Sequence, residues 1–263
     1  MYSLALWWGA ARWFIHLGVL KYLEEKNIKI TEVSGTSMGA IIASFVAIWK
    51  NADYMINFAK KINYLSLVDF DFEMWLLKWE KIEKMFRKEF WDINIEDCKI
   101  PLKIVATNIE DWLIHIFTKW NLVDAMRASF SLPGVFVPKE IDGISYVDGG
   151  IMMNLPVQAL NWEKIIASSA LKVEKWDIQT RSKFLWMNFK SGFLKNNFKI
   201  LSRSLNLLMK ANEDISLISV WKELHFLRPT FWDLDMLDFE KIDEFVEIWY
   251  NEAKKRLGEF IKL

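Results

Sequence analysis

A serine between two glycines is the part of this sequence that most directly suggests chemistry. Residues 35–39 read GTSMG, fit the pattern G-x-S-x-G, and stand between an apolar segment typical of a strand and one typical of a helix. In that context the pattern predicts a tight turn that projects the Ser37 hydroxyl outward. Gly35 and Gly39 would let the strand and the helix approach closely, and the positive end of the helix favours a developing anion. We therefore expect Ser37 to be a nucleophile, with a non-catalytic helix N-cap as the alternative.

The base that would activate Ser37 is less obvious, because no histidine stands in a setting typical of catalysis. The three histidines of the chain are His16, His115 and His225. The first falls within a predicted helix, where a packed side chain is the simpler interpretation, and the other two fall on predicted strands. A serine–histidine–aspartate triad through His115 or His225 stays open as an alternative.

Asp148 is the better candidate for the base. It ends a short predicted strand in the sequence YVDGG, where Gly149 and Gly150 follow it. A carboxylate at this position would be presented by the backbone into a cleft, whereas the simpler alternative is an ordinary Asp-Gly turn. We expect Asp148 to accept the proton of Ser37.

The elements that must position these residues alternate between strands and helices. The predicted strands cover residues 2–6, 28–34, 102–108, 165–169 and 223–227. The predicted helices cover residues 14–26, 38–48, 121–130, 193–219 and 239–257, with a broken helical region at 51–90. Residues 109–117 are typical of a hairpin that turns at Asp111–Trp112. This alternation predicts an α/β fold, a three-layer sandwich with a mainly parallel central sheet, in a single domain over residues 1–263.

Composition excludes several classes of function. The 34 basic and 34 acidic residues give a net charge of zero, so nothing suggests a nucleic-acid partner. Cys98 is the single cysteine, which excludes an internal disulfide and a multi-cysteine metal site. We see no secretory signal, and the apolar stretch at 40–48 is too short to span a bilayer. We therefore expect a cytoplasmic protein without a metal or another cofactor.

Together these motifs resemble the patatin-like phospholipase family, and the chain is similar to its compact bacterial members. Beyond GTSMG and DGG, the similarity extends over nearly the whole chain. The further segments that carry it are HLGVLKYLEE, LVDAMRASFSLPGVF, YVDGGIMMNLPVQAL and LDFEKIDEFVEIWYNEA. The resemblance implies a serine acyl hydrolase of phospholipase A, lysophospholipase or esterase type. Its substrates would be lipid acyl esters, and Ser37 and Asp148 would form a catalytic dyad.

The resemblance also implies an oxyanion loop at the first strand-to-helix turn. The glycine-rich pattern of the family falls on residues 8–13, so the backbone N–H groups of Trp8, Gly9 and Ala10 would face the oxyanion. Arg12 would steady that loop or a nearby charge; a surface helix residue is the alternative. For peripheral membrane contact, the apolar residues at 64–77 are a candidate lid or docking surface, although a core segment is the simpler interpretation.

The sequence departs from the family because tryptophan stands where glycine is expected. Glycine makes up 10 of 263 residues while tryptophan occurs 15 times, against an average glycine share near 7%. The tryptophans at such positions are Trp7, Trp8, Trp13, Trp49, Trp112, Trp120, Trp162, Trp176, Trp232 and Trp249. The sequence around Trp75 and Trp186 favours neither glycine nor tryptophan. We hypothesise that many of them are glycine in the native organism, where UGA would encode glycine. The alternative is a truly tryptophan-rich protein, and a second hypothesis is a lipid-binding protein whose oxyanion hole is impaired.

Overall fold

The computed structural model describes most of the chain. The described residues are 1–7, 14–63, 70–71, 76–77, 80–161, 163–171, 192–228 and 238–258. The residues expected to form the oxyanion loop and most of the candidate docking surface at 64–77 therefore lie outside the described residues.

The central sheet is mainly parallel, as predicted. Its strands are β1 (Tyr2–Trp7), β2 (Ile30–Thr36), β5 (Leu102–Asn108), β6 (Leu113–Phe117), β7 (Lys139–Ile141), β8 (Ile144–Asp148), β9 (Lys164–Ser169) and β10 (Glu223–Leu227). They follow the order β10-β9-β1-β2-β5-β8-β7, and β6 pairs with β5. The pairs among β10, β9, β1, β2 and β5 are parallel, whereas β6, β7 and β8 add antiparallel pairs. A separate two-stranded sheet joins β3 (Phe70–Asp71) and β4 (Leu76–Leu77).

Helices flank this sheet. They are α1 (Phe14–Glu25), α2 (Met38–Ala47), α3 (Ala52–Lys61), α4 (Glu80–Phe90), α5 (Leu122–Ser129), α6 (Gly192–Ile218) and α7 (Ile242–Gly258). Helix α1 packs closely on α7 because Gly18 has no side chain: a Cβ there would lie 2.3 Å from the Val246 carbonyl oxygen. Helix α2 lies over β1, β2 and β5 and is buried along most of its length, which its near-continuous apolar sequence predicts.

The predicted elements agree with the structure in order and type, with small shifts at their ends. Strand β2 begins two residues later than predicted, and α7 begins at Ile242 rather than at 239. The broken helical region at 51–90 contains α3 and α4. The hairpin turns over residues 109–112, which includes the predicted Asp111–Trp112.

The strands β2 and β8 meet end to end along one edge of β5. Val105 pairs with both Thr36 of β2 and Ile116 of β6, so β2 and β6 lie on opposite edges. Ala106 pairs with both β6 and Asp148 of β8, so β8 and β6 also lie on opposite edges. Strands β2 and β8 therefore share an edge and run toward each other, and their last residues pair with neighbouring residues of β5.

Four tryptophans have the left-handed backbone conformation that favours glycine. They are Trp49 (φ 64°), Trp91 (φ 52°), Trp112 (φ 62°) and Trp120 (φ 117°). Three of them were suspected from the sequence, and Trp91 was not. Trp7 and Trp249, which were also suspected, are fully buried within β1 and α7 and are not among the positive-φ residues. The conformational argument therefore does not extend to these two.

Candidate active site

The turn between β2 and α2 is a strained elbow with Ser37 at its tip. Ser37 has φ 58° and ψ −134°, a conformation that costs on the order of 1–3 kcal/mol for a residue with a side chain. The small residues on either side are required by space. A Cβ on Gly39 would lie 2.2 Å from the Leu6 carbonyl oxygen, and one on Gly35 would lie 2.5 Å from Ala40 Cα. The predicted elbow is thus present, with both glycines where the strand and the helix approach.

The structure brings Ser37 and Asp148 into contact, although 111 residues separate them in the sequence. The Ser37 hydroxyl donates a hydrogen bond of 2.6 Å to Asp148 Oδ2. The other carboxylate oxygen, Oδ1, accepts the Gly150 N–H at 2.7 Å. Ser37 is 6% exposed and Asp148 is 1% exposed, so the pair lies in a site that is nearly closed to solvent.

Burial changes the acidity of this carboxyl group. It raises the pKa of Asp148 to about 7, and the hydrogen bonds from Ser37 and Gly150 act in the opposite direction. Desolvation destabilises the ionised form, which explains the sign of the shift. A carboxylate with this pKa is a far better proton acceptor near neutral pH than an exposed aspartate.

The two glycines after Asp148 let the chain lie close against the backbone of β5. A Cβ on Gly149 would lie 2.3 Å from the Val105 carbonyl oxygen, so no side chain fits at this contact. At Gly150 a Cβ would lie 3.0 Å from Asp148 Oδ1. The chain then continues beside β2, where Thr36 Oγ1 donates to Met153 O at 3.1 Å and Ser34 Oγ donates to Pro156 O at 2.9 Å.

Helix α6 covers this returning loop and holds it by side-chain amides. Asn154 donates to the Met209 carbonyl oxygen and Asn212 donates to the Ile151 carbonyl oxygen. The loop that follows Asp148 is thus fixed on one side by β2 and on the other by α6. None of these supporting residues was expected from the sequence, because polar residues in loops and on helix faces carry no local sign of a distant backbone partner.

Histidines do not replace Asp148 as the partner of the Ser37 hydroxyl. His16 is fully buried in α1, with Nδ1 2.9 Å from Ser168 Oγ, so it is the packed helix residue that its position predicts. His115 lies on β6 against Phe117 and Tyr146, and burial lowers its pKa. His225 lies on the sheet-edge strand β10, with Nε2 3.1 Å from Glu223 Oε1. The geometry favours a dyad over a triad.

Comparison with known proteins agrees with this geometry. A family model for patatin-like phospholipases matches residues 9–161, which is more than half of the chain. This chain belongs to the patatin-like phospholipase family. The matched residues include Ser37 and Asp148, and the family that the motifs predicted is confirmed.

Relatives within the patatin-like family carry names of the neuropathy target esterase (NTE) group. An uncharacterized NTE family protein of Mycobacterium tuberculosis is 35% identical over 159 residues, which are 59% of this chain and 44% of that protein. The lysophospholipase NTE1 of Saccharomyces cerevisiae is 27% identical over 276 residues, which are 94% of this chain and 16% of that protein. The chain thus spans less than half of the length of these two relatives.

A solved patatin-like structure supports the fold. VipD from Legionella pneumophila matches with a TM-score of 0.53 at 14% identity, over 98% of this chain and 67% of that chain. At this identity the likeness concerns the fold: a mixed, mostly parallel sheet flanked by helices. The predicted patatin-like architecture is confirmed at that level.

The expected oxyanion loop of this patatin-like chain lies outside the described residues. Its members in the sequence prediction are Trp8, Gly9, Ala10 and Arg12, together with Trp13. The residues on either side are described: Trp7 ends β1 and pairs in parallel with Thr36, which directly precedes Ser37. The segment therefore leaves the sheet next to the elbow.

Among the described residues, no helix is long and apolar enough to cross a membrane. In the same residues, no group of three or more histidine, cysteine, aspartate or glutamate side chains is placed to hold a metal ion.

Proposed function

We propose that this protein is a serine acyl hydrolase of phospholipase A, lysophospholipase or esterase type that cleaves lipid acyl esters through a dyad of Ser37 and Asp148. The observation that carries the proposal is the 2.6 Å hydrogen bond from the Ser37 hydroxyl to a buried carboxylate at the tip of a strained elbow. An ordinary surface serine needs neither the strain nor the buried base. Both features are typical of an activated nucleophile.

The proposed reaction proceeds through an acyl-enzyme. Asp148 takes the hydroxyl proton as Ser37 Oγ attacks the ester carbonyl carbon, and the carbonyl oxygen becomes an oxyanion. Backbone N–H groups of residues 8–10 would donate to that oxyanion. The carbon–oxygen bond to the leaving alcohol then breaks, and Asp148 returns the proton to the alcohol. In the second half, Asp148 takes a proton from water, the hydroxide attacks the acyl-enzyme, and Ser37 leaves with that proton.

The lipid class of substrate is supported by the family and by the name of the yeast relative, a lysophospholipase. A patatin-like chain that closes its nucleophile into a buried site is suited to an apolar acyl chain.

Ser37→Ala and Asp148→Asn should each abolish hydrolysis of p-nitrophenyl esters and lysophospholipids without unfolding the protein. The alanine variant lacks the nucleophile, and the asparagine variant lacks the base. A fluorophosphonate probe should label the parent chain at Ser37 and should not label Ser37→Ala. Ser44→Ala, which removes a buried hydroxyl about two turns further along α2, is the matched control and should retain activity. Substantial hydrolysis in either dyad variant at unchanged melting temperature would contradict the proposal.

A second candidate function is lipid binding without catalysis. It is favoured by Trp8 and Trp13 at positions where the family loop carries glycine, because losing one oxyanion donor typically costs ~10²–10³ in rate. Probe labelling distinguishes the two. A chain that binds lysophospholipid micelles but does not react with fluorophosphonate would support the second function, and normal labelling would exclude it.

A further inference from the structure

The hydroxyl of Ser129 occupies the place where β2 separates from β5. In the ladder between these strands the Val33 N–H donates to the Pro101 carbonyl oxygen at 2.9 Å, one residue before its register partner. The bonds of a parallel ladder recur every second residue. The same pattern directs the Ser37 N–H toward the Val105 carbonyl oxygen.

The Ser37 N–H does not bind the Val105 carbonyl oxygen directly, because the Ser129 side chain lies between them and binds both. Ser129 Oγ accepts the Ser37 N–H at 2.9 Å and donates to the Val105 carbonyl oxygen at 2.6 Å. A hydroxyl has one donor and two acceptor sites, so it satisfies both backbone groups at once. Ser129 is fully buried at the end of α5, and its hydroxyl thus widens the gap between the two strands by one inserted atom.

The inserted hydroxyl joins the two halves of the dyad. On one side it holds the amide of the strained residue Ser37. On the other side it holds Val105, whose carbonyl oxygen is also the nearest atom to a Cβ built on Gly149, directly after Asp148. The distance between the nucleophile and its base therefore depends on a bridge that the side chain of Ser129 supplies.

We propose that Ser129 is a positioning residue that sets the geometry of the Ser37–Asp148 pair. It contacts the backbone rather than the substrate or the reacting atoms. This inference rests on the proposed function, because its effect is measured in catalysis. Small displacements at a reacting centre cost up to about a hundredfold in rate, so loss of the bridge should act on kcat rather than on KM.

The test compares four variants in ester hydrolysis, in fluorophosphonate labelling rate and in thermal unfolding. Ser129→Ala should lower kcat and the labelling rate about 10- to 100-fold at nearly unchanged KM. Ser129→Thr retains the hydroxyl and should recover most of that loss. Ser129→Val has the shape of the threonine variant without the hydroxyl and should remain as slow as Ser129→Ala. Ser44→Ala also removes a buried hydroxyl, one that donates to Ala40 O at 2.7 Å, and should retain the parental kcat.

Equal kcat in Ser129→Ala and Ser44→Ala would overturn the proposal. If Ser129→Ala does not fold, equal labelling rates in the threonine and valine variants would overturn it instead. Activity retained in Ser37→Ala would count against the proposed function and not against this bridge. If the parent is inactive, all variants are made in a chain that carries Trp8→Gly and Trp13→Gly. The kcat values and labelling rates of the Ser129 and Ser44 variants can then still be compared.

A second inference rests on backbone conformation alone and is independent of the dyad. Trp49, Trp91, Trp112 and Trp120 all lie in the left-handed region, which side chains rarely adopt and which is a genuine outlier for a bulky residue. All four residues are also exposed, by 39% to 81%. A tryptophan that is strained and also exposed gains little burial to offset the strain.

Trp49 shows the role that glycine has at such a position. Helix α2 ends in two bonds, from the Trp49 N–H to Val46 O at 3.0 Å and from the Lys50 N–H to Phe45 O at 3.0 Å. This is the Schellman pattern, whose left-handed residue is usually glycine. The ring contacts at two of these sites are weak surface cation–π contacts: Lys99 Nζ lies 4.7 Å from the Trp49 ring and Lys50 Nζ lies 5.6 Å from the Trp91 ring.

We infer that the natural protein carries glycine where this sequence has Trp49, Trp91, Trp112 and Trp120. A codon that specifies glycine in the native organism and was translated here as tryptophan would produce this pattern. The same reading would apply to tryptophans in the expected oxyanion loop. The low glycine content of the sequence can therefore be tested at four specific positions.

The stability test uses Trp→Gly and Trp→Ala at each of the four positions. Each glycine variant should melt about 2–4 °C above its alanine counterpart, because alanine keeps the Cβ that opposes this conformation. Trp221, which is 98% exposed and is not among the positive-φ residues, is the matched control. There glycine should be no more stable than alanine.

Peptide mass spectrometry of the protein purified from its native organism decides the identity of the residues. Peptides that cover the four positions should have the masses of glycine-containing peptides. Tryptophan masses at all four positions would overturn the inference whatever the melting temperatures, and glycine variants that melt no higher than alanine variants would remove its physical basis.

Discussion

Asp148 combines three properties that rarely occur in one carboxyl group. It is almost fully buried, its side-chain partner among the described residues is a hydroxyl rather than a cation, and one of its oxygens is held by the Gly150 amide. The first property raises its pKa to about 7, and the other two keep the ionised form accessible. The side chain is therefore matched to proton transfer near neutral pH.

The rate of hydrolysis should rise with pH through an apparent pKa of about 7 and level off above it, because Asp148 must be ionised to accept the Ser37 proton. The measurement is kcat/KM for a neutral ester between pH 5 and pH 9, which reports the free enzyme. An ester without ionisable groups removes titration of the substrate as a cause. A profile that is already flat at pH 5 would contradict this assignment.

Stability should respond to the same carboxyl group in the opposite direction. Its pKa is raised from an ordinary value of 3.8 to about 7 on folding, so the folded state holds the proton more strongly. The resulting stabilisation is complete below about pH 4 and is lost as pH rises through about 7, a loss of roughly 4 kcal/mol. Asp148→Asn does not ionise, so its free energy of unfolding should exceed that of the parent at pH 8, with a narrower difference at pH 5. Urea titrations at the two pH values measure this.

At the scale of elements, the site depends on two strands that end against each other on β5. Strand β2 delivers Ser37 and strand β8 delivers Asp148 from the opposite direction along one edge. The alternation of strands and helices predicted the parallel part of this sheet, and the motifs predicted both residues. The antiparallel arrival of β8 was not predicted, because pairing between distant strands leaves no local pattern in the sequence.

Gly39→Ala should displace α2 from β1 and disturb the elbow, since the added methyl group would overlap the Leu6 carbonyl oxygen. We expect a loss of about 1–3 kcal/mol in the free energy of unfolding, together with a loss of fluorophosphonate labelling. Gly258→Ala is the control, because the nearest atom to a Cβ there is Tyr22 Oη at 3.5 Å. Parental labelling in Gly39→Ala would mean that the elbow tolerates the shift.

At the scale of the whole molecule, a buried ion pair and the candidate site lie at opposite ends of strand β2. Glu32, near the start of β2, is 3% exposed. It accepts Lys103 Nζ at 2.6 Å, the Asn161 N–H at 2.7 Å and the Ser3 hydroxyl at 3.3 Å. Ser37 follows the last residue of the same strand, five residues along the chain and roughly 16 Å away. Glu32 and the polar groups that it binds support the fold at the first end of β2, and the candidate site lies at the second end.

Glu32→Ala should therefore lower stability while leaving kcat unchanged below the melting transition. The loss should be about 3–5 kcal/mol, because the ammonium of Lys103 remains buried without its partner. Glu223→Ala is the matched control: its ion pair with Lys164 is about half exposed on both sides, so its loss should leave the free energy of unfolding nearly unchanged. A kcat that falls in folded Glu32→Ala would show that the two ends are coupled.

The separation of Ser37 from Asp148 by 111 residues also has a consequence for the order of folding. Contacts between such distant segments form slowly, because the intervening chain must first be brought together. The dyad is therefore complete only when β2 and β8 have both paired with β5, and intermediates that lack β8 would contain an inert serine. A fluorophosphonate added at intervals during refolding would thus count finished molecules, and its labelling curve would time the last step of assembly.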